Sequence, residues 1–130
     1  MRNGRTQHGC FSIDENETTT KVVVMGGQDS EWSRQATAEI LDITTMQWED
    51  LPDLPFAVTG NKGVESIIGP YLGFSLGGRI AGSNERLRSI IGLRKNLNGN
   101  YHWQELNDKL TTGRELPAVV NVPDAMAPSC

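Results

Sequence analysis

The chain is short of several residue types, and each shortage excludes something. Only two cysteines, Cys10 and Cys130, occur in 130 residues, and they stand at opposite ends. They build no disulfide framework; two free thiols are the first reading, and a disulfide with each other or with sequence outside this chain is the alternative. Basic residues are outnumbered, 12 Lys and Arg against 16 Asp and Glu, for a net charge of −4. With no basic stripe, nucleic acid is not an expected partner. No apolar run approaches the ~20 residues of a membrane span. The opening Met1-Arg-Asn-Gly-Arg-Thr-Gln-His8 is polar and has no apolar h-region, so it does not read as a secretory signal. Hydrophobic residues make up 37%, below the usual ~45–50%. The length still suits one ordinary domain with a real core.

Glycine is plentiful, with 14 copies. Many glycines among short apolar runs argue for strands and tight turns rather than helices. The landmarks recur. Gly26-Gly27 follows Val22-Val-Val-Met25, and Gly77-Gly78 follows Tyr71-Leu-Gly-Phe-Ser-Leu76, 51 residues later. Trp48-Glu-Asp-Leu51 lies downstream of the first pair, and Trp103-Gln-Glu-Leu106 downstream of the second. A third start is visible where Gly113-Arg114 precedes Ala118-Val-Val-Asn-Val122, as Gly4-Arg5 precedes Gly9-Cys-Phe-Ser-Ile13. A period near fifty residues marks a repeat architecture.

The expected strands of the first repeat are 9–13, 21–26, 38–42 and 47–51. Those of the second are 63–68, 71–77, 87–93 and 102–106. Turn chemistry separates them at Asp14-Glu-Asn16, Gly69-Pro70 and Asn96-Leu-Asn-Gly-Asn100. Leu51-Pro52 and Leu54-Pro55 close the first repeat, since proline cannot continue a central strand. No helix of credible length is predicted; 34–41 reads as a loop entering a strand. Each repeat is then one four-stranded antiparallel sheet, which buries both faces only by stacking on others.

These residues resemble the kelch repeat. In the first repeat the resemblance rests on Arg5-Thr-Gln-His8, Val22-Val-Val-Met-Gly26-Gly27, Glu39-Ile-Leu-Asp42 and Trp48-Glu-Asp-Leu51-Pro52. The second repeat keeps Tyr71, Gly77-Gly78, Trp103 and Leu106. It lacks the starting arginine or histidine and has a longer insertion before Trp103. Leu41 stands where a kelch tyrosine is usual. The resemblance covers about residues 4–122. It implies an all-β, partial kelch-type β-propeller: blade 1 over 1–55, blade 2 over 56–110, and over 111–130 the first strand of a further blade with a C-terminal tail. That strand, 118–122, also resembles the ring-closing strand of such propellers. The glycine pairs Gly26, Gly27, Gly77 and Gly78 permit positive φ and close approach. Trp48 and Trp103 supply flat surface between blades. Propellers have about four to eight blades, so two and a fraction imply a piece of a longer protein, or several copies closing a ring.

Candidate chemistry is sparse. His8 and Cys10 share a strand face, but a zinc site needs four ligands and the other His and Cys are distant. The tyrosine, histidine and cysteine residues do not cluster as a copper site demands. The acidic residues fall in turns rather than as paired carboxylates. No catalytic residue, metal or cofactor is therefore expected. The expected function is a non-catalytic protein–protein interaction module, with a protein partner, no nucleic acid and no membrane. The alternative is part of an extracellular carbohydrate-binding or oxidase-type kelch propeller whose active residues lie outside this chain. Trp32, with Asp29 and Arg34 beside it, has the composition of an interface anchor in the first long loop, the alternative being that its indole packs onto its own loop. Arg79, Arg86 and Arg88 place three arginines in the corresponding second loop. Asn16-Glu-Thr18 is a glycosylation sequon, relevant only to a secreted chain.

Overall fold

The computed structural model describes residues 1–16, 19–66 and 69–118. Ten strands form in chain order, and no helix is present among the described residues. The first sheet holds β1 (Gly9–Asn16), β2 (Thr19–Met25), β3 (Ala38–Asp42) and β4 (Gln47–Leu51), in that spatial order and antiparallel throughout. Two short strands, β5 (Val58–Thr59) and β8 (Arg79–Ile80), pair as a separate ribbon. The second sheet holds β6 (Lys62–Glu65), β7 (Tyr71–Leu76), β9 (Ile90–Lys95) and β10 (Tyr101–Glu105), again side by side and antiparallel.

The registers superpose the two sheets. Met25 faces Ala38 across the ladder as Leu76 faces Ile90, and Leu41 faces Trp48 as Leu93 faces Trp103. Alternation then defines two faces per sheet. Phe11, Val23 and Ile40 share the face of sheet one that meets sheet two. Gly63, Gly73, Leu93 and Trp103 share the face of sheet two that meets sheet one. Phe11, Ile13, Val23, Met25, Ala38, Ile40 and Leu51 from the first sheet, with Leu54 just after it, join Val58, Ile91 and Leu93 in one buried cluster.

Glycine permits this stacking. A Cβ on Gly63 would lie 2.1 Å from the Cys10 carbonyl oxygen, and one on Gly73 would lie 2.3 Å from the Phe11 ring. The backbone of the second sheet therefore rides directly on the first. Gly73→Ala is expected to cost about 1–3 kcal/mol through overpacking, while Gly4→Ala, with nothing within 4 Å, serves as the silent control. Equal melting temperatures for the two variants would refute this packing.

The structure differs from the strand expectations in several places. β1 runs on to Asn16, through the residues expected as a turn, with its register shifting between Asp14 and Asn16, and β6 ends at Glu65 rather than 68. β9 runs Ile90–Lys95 rather than 87–93, because Leu87 leaves the ladder: its N–H donates to the Gly78 carbonyl. The β5–β8 ribbon was not expected, since two-residue strands carry no periodicity to read. The strand expected at 118–122 lies outside the described residues apart from Ala118.

Candidate functional site

The connections 26–37 and 77–89 emerge from the same end of the two sheets, each after a glycine pair. All four glycines have positive φ: 66° and 94° at Gly26 and Gly27, 61° and 99° at Gly77 and Gly78. Gly27 N–H donates to the Val58 carbonyl at 2.7 Å, and Gly78 N–H to the Arg114 carbonyl at 2.7 Å. Each pair thus grips the entry segment of the following repeat. The entry segments repeat as well. Gln7, Gly60 and Leu116 all have positive φ, with Gly60 N–H donating to Gln7 and Leu116 N–H to Gly60. Arg5, Val58 and Arg114 consequently occupy one recurring position.

At that position Arg5 is buried. Its guanidinium meets the Glu39 carboxylate at 2.8 Å, with both side chains 1% exposed, and donates to the Gly26 and Thr37 carbonyls. Arg2 adds a backbone N–H to the same carboxylate at 2.7 Å. In the second sheet the counterparts of Arg5 and Glu39 are Val58 and Ile91, both in the apolar cluster. An ion pair in one repeat is an apolar pair in the next. Sequence reading quoted Arg5 and Glu39 as parts of one motif but did not pair them, since 34 residues separate them.

The first loop is built around Asp29. Its Oδ1 accepts from the N–H groups of Glu31 and Ser33, both at 2.9 Å, and its Oδ2 from the Gln35 amide at 2.8 Å. This frame holds Trp32 at φ 63° with 75% of its surface exposed. A non-glycine residue in the left-handed region, with a bare indole, is held there by the turn around it. Arg34 reaches across to the second loop and donates to the carbonyls of Ile80 and Ser83, the latter at 2.7 Å. Between the loops lies a cleft of about 570 Å³, with Trp32, Ser33 and Arg34 on one wall and Gly82, Ser83 and Asn84 on the other.

The structure therefore brings Asp29, Trp32 and Arg34 together. The three arginines of the second loop do not join them as one patch. Arg79 pairs with Glu115 at 2.7 Å, Arg86 approaches the same carboxylate at 3.9 Å, and Arg88 donates to the Leu110 carbonyl at 2.5 Å. Glu115 was missed by sequence reading because it belongs to the next repeat's entry segment.

The two tryptophans have different surroundings. Trp103 is packed against the core, meets the Phe11 ring edge-on at 6.4 Å, and donates its indole N–H to the Pro52 carbonyl at 2.8 Å. Trp48 lies on the opposite side of the first sheet, half-buried, beside Leu41. Asn16 ends β1, and the rest of its sequon, residues 17–18, lies outside the described residues. Cys10 is a free, exposed thiol. His8 is half-buried; burial, and then the Arg5 charge, push its imidazole below the ordinary histidine range. No group of three His, Cys, Asp or Glu side chains able to hold a metal ion occurs among the described residues.

Residues 18–55 match the family model of the kelch motif. No curated protein matches the chain. The matched segment runs from just before β2 through β3 and β4 to the closing prolines, so residues 18–55 carry a kelch motif, and the two stacked four-stranded antiparallel sheets are consistent with a partial kelch-type β-propeller.

Proposed function

We propose that this chain is a non-catalytic protein-interaction module whose contact face is the loop end around Trp32. The observation that carries the reading is the exposed indole of Trp32 on a turn locked by Asp29 and braced by Arg34. A large aromatic kept in water on a rigid loop pays its ordering cost before any partner arrives. Tryptophan and arginine are also the residue types that dominate interface energetics. The partner is a protein, seated over the cleft between the two loops.

The same reading makes the chain part of a larger propeller. Leu51 and Leu54 are buried by the second blade, whereas their counterparts Leu106 and Leu110 are half-exposed. Further blades, from a longer polypeptide or from other copies, are needed to close a ring.

Trp32→Ala tests the loop reading. Partner recovery in quantitative affinity capture is expected to fall by roughly 30-fold, the size of a hot spot of about 2 kcal/mol. The melting temperature is expected to stay unchanged, since the side chain is 75% exposed. Capture of the same proteins at the same yield by both forms would reject the face.

A further inference from the structure

We propose that the cleft between the two loops takes an acidic peptide segment of the partner, with an Asp or Glu carboxylate on Arg34 and an apolar neighbour against Trp32. This deepens the loop-end reading above and rests on it. The starting point is a charge without a counter-ion. Arg34 is half-buried, and its acceptors among the described residues are two neutral carbonyls, those of Ile80 and Ser83, both reached by Nη1. Other arginines near the two loops are matched: Arg5 meets Glu39, and Arg79 and Arg86 share Glu115. Asp29 does not serve Arg34. Its oxygens take the Glu31, Ser33 and Gln35 donors, and it lines a separate pocket with Arg2 and Ser30.

A cation drawn partly out of water without an opposite charge is unfavourable, and a carboxylate relieves it. The guanidinium is already in place to receive one. With Nη1 committed to the second loop, Nε and Nη2 make no hydrogen bond among the described residues. Those two nitrogens form the edge of the fork that binds a carboxylate by parallel bonds. Because the carbonyls of Ile80 and Ser83 hold the side chain, little ordering remains for binding to pay.

The rest of the cleft agrees with an acidic segment. Arg34 is the one charged residue of its lining among the described residues. Gln28, Ser33, Ser83 and Asn84 add uncharged hydrogen-bond donors. Glu31 and Glu85 are exposed in the same two loops without lining the cleft. Gly82 leaves the opposite wall open, with nothing within 4 Å of where its Cβ would stand. Trp32 stands two residues before Arg34 on the same loop, so one short segment reaches both.

The test selects binders of the wild-type chain from a random peptide library fused at its C-terminal end, so that only side chains supply carboxylates. The recovered peptides, made with amidated ends, are then titrated against wild type, Trp32→Ala, Arg34→Lys and Arg34→Met. They are expected to share an Asp or Glu and to lose binding on Trp32→Ala. Replacing that residue by Asn or Gln is expected to weaken wild-type binding roughly tenfold or more, in the range of a hydrogen bond to a charged group. Arg34→Lys, which keeps the charge and loses the fork, is expected to retain part of this preference. On Arg34→Met the acid and its amide are expected to bind alike. Acid and amide are compared on one form of the protein, so a second loop disturbed by the loss of Arg34 does not imitate the result. Trp32-dependent peptides that carry no acid, an amide change without effect on the wild type, or an acid preference that survives Arg34→Met each overturn the proposal and leave the Trp32 face standing. A library that yields no binder overturns it too, and partner capture with Trp32→Ala then decides the face by itself. Binders indifferent to Trp32→Ala remove both.

Discussion

Arg5→Val is expected to destabilise the protein by about 3–5 kcal/mol, the cost of stripping one partner from a buried ion pair. Glu39 is 1% exposed and, among the described residues, would be left with the Arg2 backbone N–H against its charge. The Gly26 and Thr37 carbonyls would also lose their guanidinium donor. The second repeat supplies the control. It holds Val58 and Ile91 at these positions, so Arg5→Val combined with Glu39→Ile is expected to recover ~2 kcal/mol or more of the loss. Replacing a whole buried pair by apolar side chains is often neutral, whereas breaking it is not. Denaturant titration of the two single variants and the double variant reads the coupling directly. A double variant whose loss equals the sum of the singles would refute the pairing.

Trp103→Ala is expected to cost about 3–5 kcal/mol, in the range for truncating a packed aromatic. It removes the edge-on contact with Phe11 and leaves the Pro52 carbonyl without its donor. Trp48→Ala is expected to cost about 1 kcal/mol, the size of an ordinary substitution, since the indole is half-buried on the face of the first sheet turned away from the second. Sequence reading treats the two tryptophans alike. Their neighbours make them unequal. Equal shifts in the denaturant midpoint would contradict this assignment of the inner and outer faces.

Much of the fold was legible in advance because its signals are local. The apolar Val22–Met25 run, the glycine pairs, the two tryptophans and the closing prolines each act within a few residues. Together they led to two four-stranded sheets and to most strand boundaries. β9 was placed three residues early because Leu87, though apolar, spends its N–H on Gly78 rather than on the sheet. That choice depends on a neighbouring turn, and no periodicity records it. The β5–β8 ribbon was invisible for the same reason.

The candidate site was legible as a set of residue types and not as an arrangement. Composition singles out Trp32, Asp29 and Arg34, and the loop gathers them. The same rule singles out Arg79, Arg86 and Arg88, yet Glu115 takes two of them and the Leu110 carbonyl the third. A count of arginines carries no information about which carboxylate lies opposite.

The sequence by itself determined the repeat, its period and the antiparallel sheet of each unit, since strand alternation and turn chemistry act between near neighbours. The tertiary structure alone decided which charges are paired, which tryptophan is packed, and which apolar faces stay open. Those outcomes depend on side chains brought together from 34 to more than 90 residues apart, from Arg5 and Glu39 to Phe11 and Trp103. Burial and pairing are properties of the contact, and the chain order does not contain them.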